Sequence, residues 1–162
     1  MNMFGEKMID TPARKKSAKL LRHLAAGLIT NDQYEDSQPR SADPAIYQIF
    51  YHGGWPLYSD LYEHRLRGKK SLPAEVKHGV ARVILFLRSD LSYEWPVLTG
   101  WRELGWSFLS LFTFGCIGRK RYRHWMQFGD HDVWPFFRRA DFEQAKLRRV
   151  YLEGRGANDP MS

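Results

Sequence analysis

Residues 71–96, SLPAEVKHGVARVILFLRSDLSYEWP, constrain this chain more than any other stretch. Val76, Val80, Val83, Ile84, Leu87 and Leu91 recur at intervals of three and four, the spacing of one helical stripe. Leu85 and Phe86 widen the apolar surface beyond that stripe, so the middle of the helix needs cover on most sides. Pro73 suits a first helical turn, where its missing N–H has no partner to lose. Trp95-Pro96 ends the run, because a residue before proline is pushed out of helical geometry.

A sheathed helix needs partners, and the remaining sequence offers mostly helices. With 162 residues, 43% of them hydrophobic and 15% aromatic, the chain can bury a substantial core. The expected fold is mainly α: a single-domain irregular helical bundle around a central buried helix at about 73–91. An N-terminal hairpin covers 12–37 within a domain spanning 12–153, between a flexible arm (1–11) and a flexible tail (154–162). Helix one, at 12–26, turns Ala18, Leu20, Leu21, Leu24 and Ala25 inward and leaves Arg14, Lys15, Lys16, Lys19 and Arg22 outward. Gly27 is placed to end it in a left-handed cap. Thr30 and Gln33 form a capping-box pattern ahead of a short second helix at 31–37.

Asp43-Pro44 reads as the N-cap and first turn of a third helix, with Ile46, Ile49 and Phe50 inward, Tyr47 and Tyr51 alongside, and Gly53-Gly54 as its stop. Trp55-Pro56 reads as the start of a fourth, with Leu57, Tyr58, Leu61 and Tyr62 as its apolar edge and RLRGKK at its C-terminus. A last helix is expected at 140–152, packing through Phe142, Ala145, Leu147 and Val150 and ended by Gly154. Trp-Pro recurs at 55, 95 and 134 without similar flanks, which reads as one corner device used three times.

LLRHLAAGLITNDQYED resembles the short helical hairpins of the SHOCT type, through Gly27, Ile29, Thr30 and Tyr34. The resemblance implies a small packing or oligomerisation module and no chemistry. ARVILFLRSDLSYEWP and DVWPFFRRADFEQA are similar to a pattern in uncharacterised bacterial proteins, which implies a shared helical fold and a bacterial origin.

Residues 104–118 carry no charge and read either as a helix, with Leu104, Phe108, Leu111 and Phe112 on one face, or as a strand. Trp101, Trp106 and Trp125 lie near their ends as an aromatic belt would. As a helix they reach about 22 Å, short of the roughly 30 Å hydrocarbon core, so a membrane span is not expected, although an interfacial position remains open. The first sixteen residues lack the apolar core and cleavage site of a signal peptide, and Cys116 is the single cysteine. Both point to the cytoplasm.

The net charge of +7 invites a polyanion. Its sharpest local expression is Arg119, Lys120, Arg121, Tyr122, Arg123, His124 and Trp125, where cations for phosphates alternate with rings for stacking. Arg138, Arg139, Lys146, Arg148 and Arg149 are candidate extensions of that patch. Asp130, His131 and Asp132 are weak metal-ligand candidates, because adjacent residues rarely converge on one centre and no other ligand spacing completes a site. Asp90 with Glu94, and Asp60 with Glu63, are carboxylate pairs that acid–base chemistry would need to bring together. His52 and His64 have no paired nucleophile, Cys116 reads as a packing residue, and no cofactor is implied. Protein association, with a protein partner or by self-association, ranks first on the surplus of Trp and Tyr. A surface for nucleic acid or anionic membrane ranks second, and an enzyme without a recognisable motif third.

Overall fold

The computed structural model describes residues 8–95 and 128–147. The protein is mainly α-helical, and among the described residues the sole β feature is an antiparallel bridge between Thr30 and Arg65. Helix α1 spans Thr11–Ala25 and packs along the central helix α4, Ala74–Leu87, in the most extensive helix pair described.

Asp10 caps α1, its carboxylate accepting the Ala13 N–H at 3.0 Å, so the chain is fixed from Asp10 onward. The rest of the expected arm, residues 1–7, and the tail at 154–162 lie outside the described residues. The buried face of α1 is Ala13, Arg14, Ser17, Ala18, Leu21 and Leu24. Arg14 thus corrects the expectation that it faces solvent: it is 1% exposed. Its Nε and Nη2 donate to the Asp43 carboxylate, the latter at 3.2 Å, and its Nη1 donates to the Leu91 carbonyl at 2.6 Å. The guanidinium also lies 5.4 Å from the Phe86 ring centroid. One side chain therefore ties α1 to Asp43 and to the exit of α4.

The hairpin forms as the sequence predicts. Gly27 has φ +66°; its N–H reaches the Leu24 carbonyl and the Leu28 N–H reaches that of His23, both at 2.8 Å. Those two bonds make a Schellman cap. Thr30 and Gln33 complete the capping box in both directions, opening α2, Asn31–Asp36. Helix α3, Pro44–Ile49, starts at Asp43, whose carboxylate accepts the Ala45 N–H at 2.9 Å.

Three elements differ from expectation. Gly53-Gly54 do not stop the third helix; the chain continues as a π turn, Phe50–Gly54, and then a 3₁₀ turn, Trp55–Leu57. A proline at 56 has no N–H to continue an α ladder, and the two glycines allow Trp134 and Tyr34 to approach their backbone. The fourth helix does not form. Buried Asn31 hydrogen-bonds the backbone of this segment instead, accepting the His64 N–H at 2.7 Å and donating to the Tyr62 carbonyl at 3.3 Å. Leu61 and Tyr62, expected as an apolar edge, are 88% and 52% exposed. RLRGKK is accordingly a loop, running through the Thr30–Arg65 bridge into a 3₁₀ turn at Gly68–Lys70 rather than closing a helix.

The central helix is shorter than 73–91. It stops at Leu87 because the Ser89 hydroxyl donates to the Phe86 carbonyl at 2.7 Å and the chain turns extended, leaving Leu91 outside the helix. Val80, Val83, Ile84, Phe86 and Leu87 are buried, whereas Glu75, Lys77 and His78 in its first turns are exposed. The interior rod is thus its C-terminal half.

Beyond it, residues 93–95 are gripped by residues 128–138. The Trp95 indole N–H donates to the Pro135 carbonyl at 3.0 Å, and Gly129, at φ +53°, leaves no room for a Cβ against the Trp95 ring. Phe136 meets Phe86 edge to face at 5.3 Å. The Trp134 indole N–H donates to the Tyr93 hydroxyl, which burial pushes up to about 12. The three Trp-Pro pairs are not one device: Trp55 is exposed in a 3₁₀ turn, Trp95 is buried, and Trp134 precedes a cis peptide bond. Helix α5 covers Arg139–Leu147, with Ala145 buried and the Phe142 ring tilted against Phe136, centroids 5.3 Å apart. Leu147, expected to pack, is 81% exposed, since it lies five residues from Phe142 and so on another face.

Candidate functional site

The π turn carries the surface feature that stands out. Tyr47, Tyr51 and Trp55, four residues apart, form a column of rings with centroid separations of 4.4 Å and 5.0 Å. All three are exposed, and Phe50 backs the column from the half-buried side, 5.0 Å from Tyr51 and 6.0 Å from Trp55. Trp55 is held in place by its indole N–H, which donates to Asp60. Beneath the turn, Tyr34 is fully buried, stacks on Phe50 at 5.8 Å and meets Tyr58 edge to face at 6.1 Å. Burial raises both tyrosine hydroxyls above their ordinary range. A Cβ on Gly54 would fall 2.1 Å from the Tyr34 hydroxyl oxygen, so this glycine is what lets the turn sit down on the core. π turns are rare and occur frequently at functional sites.

The residues singled out from the sequence have other fates. Residues 119–125, the leading anion-binding candidates, lie outside the described residues, as do residues 104–118 with Cys116, and Arg148 and Arg149. Arg138 holds Glu94 at 3.3 Å and Asp141 at 3.7 Å. Arg139 holds Asp130 at 2.8 Å and Asp132 at 3.2 Å. That pairing keeps the Asp130 carboxyl below the usual aspartate range and raises Arg139. Lys146 pairs with Glu143 at 2.7 Å.

His131 lies between those two aspartates in sequence, but its ring packs on Trp95, with centroids 4.7 Å apart. Among the described residues, no three His, Cys, Asp or Glu side chains are placed to hold a metal ion. Three of the four paired carboxylates are engaged elsewhere: Asp60 holds Trp55, Glu63 accepts the Thr30 hydroxyl at 2.7 Å, and Glu94 holds Arg138. His64 Nδ1 lies 2.9 Å from the Tyr62 carbonyl, and His52 is exposed on the π turn. No described helix is long and apolar enough to cross a membrane.

The ring column was missed as a surface because Tyr47 and Tyr51 read as companions of the inward stripe and Trp55 as a helix-opening anchor. Glycines followed by Trp-Pro, directly after a helix, are the local signal that the turn widens. No protein-family model, curated protein or solved structure matches the chain.

Proposed function

We propose that this protein acts by protein–protein association, with a second copy of its own chain docking on the Tyr47–Tyr51–Trp55 column. The observation that carries the reading is the column itself: three rings in mutual contact, each 36% to 47% exposed, where interfaces concentrate Tyr and Trp. Flat rings pack well on flat rings, so the same patch on two copies is self-complementary, as a two-fold interface requires. Charge bears on the choice of face, since the acid that borders the column, Asp60, is bonded to Trp55. Each chain carries +7, so two copies repel at long range and meet most favourably where no like charges are opposed. The resemblance of residues 20–36 to SHOCT-type hairpins agrees with an oligomerisation role, since α2 supplies Tyr34 under the column.

Light scattering across a hundredfold range of protein concentration tests this. The expected result is a mass that rises from one chain towards two, and rises further with added salt, because salt screens the mutual repulsion. Tyr47→Ser with Tyr51→Ser should weaken association by about tenfold or more at unchanged helicity. A mass of one chain throughout, or a dimer indifferent to those substitutions, overturns the reading.

A further inference from the structure

A cleft of about 500 Å³ opens where the end of α1, the 66–71 loop and residues 77–84 of α4 meet. Its floor includes Leu66 and Ile84, and its rim carries Arg22, Arg67, Lys77 and the Ser71 hydroxyl. No carboxylate lines it, and none pairs with Arg22, Arg67 or Lys77 among the described residues. Other described cations, such as Lys15 and Lys69, also lack an acid; what sets these three apart is that they gather around one hollow.

The hollow is built rather than incidental. Gly27 at φ +66° admits the 66–67 backbone so closely that a Cβ there would fall 2.8 Å from the Leu66 carbonyl oxygen and 2.5 Å from the Arg67 side chain. Asn31 and the Thr30–Arg65 bridge pin the preceding residues. Leu66 is buried as the anchor, and Gly68, at φ +57°, turns the chain back before Ser71. Arg67 is thereby delivered to the same hollow as Arg22, although the two lie in different segments of the chain.

From this we infer that the cleft binds a phosphate-bearing ligand, the phosphoryl group on the Arg22–Arg67–Lys77 rim and an apolar portion of the ligand on the Leu66–Ile84 floor. Guanidinium forks match the paired oxygens of a phosphoryl group, and a concave site of this size with an apolar base suits a small molecule better than an extended polymer. This site is separate from the ring column and does not depend on its role.

Titration calorimetry on the full chain at fixed ionic strength tests the inference, using inorganic phosphate, glycerol 3-phosphate and dihexanoyl phosphatidic acid below its micelle concentration. Saturable binding is expected for all three, tightest for the ligand with acyl chains. Arg22→Gln with Lys77→Gln, on two exposed helix positions, should weaken it at least tenfold, as should Arg67→Gln. Arg65→Gln, outside the rim, should leave it unchanged. Co-sedimentation with phosphatidylcholine vesicles, with and without phosphatidic acid, separates a membrane headgroup from a free ligand: pelleting on acidic vesicles assigns the former, and binding of glycerol 3-phosphate without pelleting the latter. The inference fails if phosphate gives no more heat than chloride, if the rim variants bind like the parent, or if an oligonucleotide of random sequence binds far more tightly than every phosphate monoester.

Discussion

The two ends of α1 treat the same residue type in opposite ways. Arg14, in the first turn, is stripped of water and fully occupied by Asp43 and two carbonyls beyond α4. Arg22, eight residues later, is exposed on the rim of a cleft with no acid beside it. A buried guanidinium must have all its partners inside the fold, and it then serves as a joint between segments distant in sequence. An exposed guanidinium without a partner contributes little to folding and keeps its charge for something outside the chain. The difference teaches that the basic excess of this protein is divided between structure and surface, and that the net charge alone does not reveal the division.

The sharpest way to break the comparison is at its buried end. Asp43→Ala leaves Arg14 charged, dry and half-partnered, and removes the cap of α3. A loss of about 3–5 kcal/mol is expected from urea unfolding. Arg14→Met takes the cation from the buried Asp43 carboxylate in turn, but should cost less than Asp43→Ala, because that carboxylate keeps two backbone N–H donors, Asp10 and Ala45. At the other end, Gly27→Ala places a side chain at φ +66° and against the Leu66 carbonyl, and should cost about 1–2 kcal/mol from the left-handed conformation alone. Because Gly27 seats the Arg67 loop, that variant should also lose phosphate binding. Arg22→Gln should change stability by no more than about 0.5 kcal/mol while removing part of the same binding.

Acid titration sharpens the contrast further. The Asp10 carboxyl is held below its ordinary 3.8, chiefly by the Ala13 N–H and then by the Ser41 hydroxyl. Its folded pKa lies below its unfolded one, so its contribution is complete above the ordinary aspartate range and fades as pH falls through the lower, folded value. At the other end His23 is held below its ordinary 6.5, first by desolvation and then by Lys19 and Arg22. Its neutral form is favoured in the folded state, so stability falls as pH drops below 6.5, until the folded imidazole also takes a proton. The C-terminal end of α1 should therefore respond to acid before the N-terminal end. Arg22→Gln should raise the His23 pKa slightly, read by NMR titration of its ring protons, and should leave Asp10 untouched.

What could be read in advance divides along physical lines. The caps were legible, because Asp43, Thr30 with Gln33, and Gly27 act on backbone within a few residues. Much of the apolar stripe of α4 was legible from periodicity. Arg14 was misread although its position was not: it lies three and four residues before Ser17 and Ala18, on the stripe that continues to Leu21 and Leu24, and only its charge argued for solvent. The fourth helix failed because Asn31, some thirty residues earlier, takes the backbone groups of residues 62 and 64, a competition that no local window contains. The cleft was illegible for the same reason: Arg22, Arg67 and Lys77 come from three segments, and only the fold brings them to one hollow.

The five-residue π turn at Phe50–Gly54 has a geometric effect that reaches past its own length. An α-helix advances about 100° per residue, so side chains four apart drift by about 40° and those eight apart by about 80°. Tyr47 and Trp55 are eight apart, and on an unbroken α-helix their rings would fan away from one another. A wider turn inserted between them winds less per residue and takes back part of that rotation, which keeps Tyr51 against both neighbours. The aromatic surface is in that sense written as a residue count: losing one residue from the turn would alter the phase of everything after it, even with every ring retained.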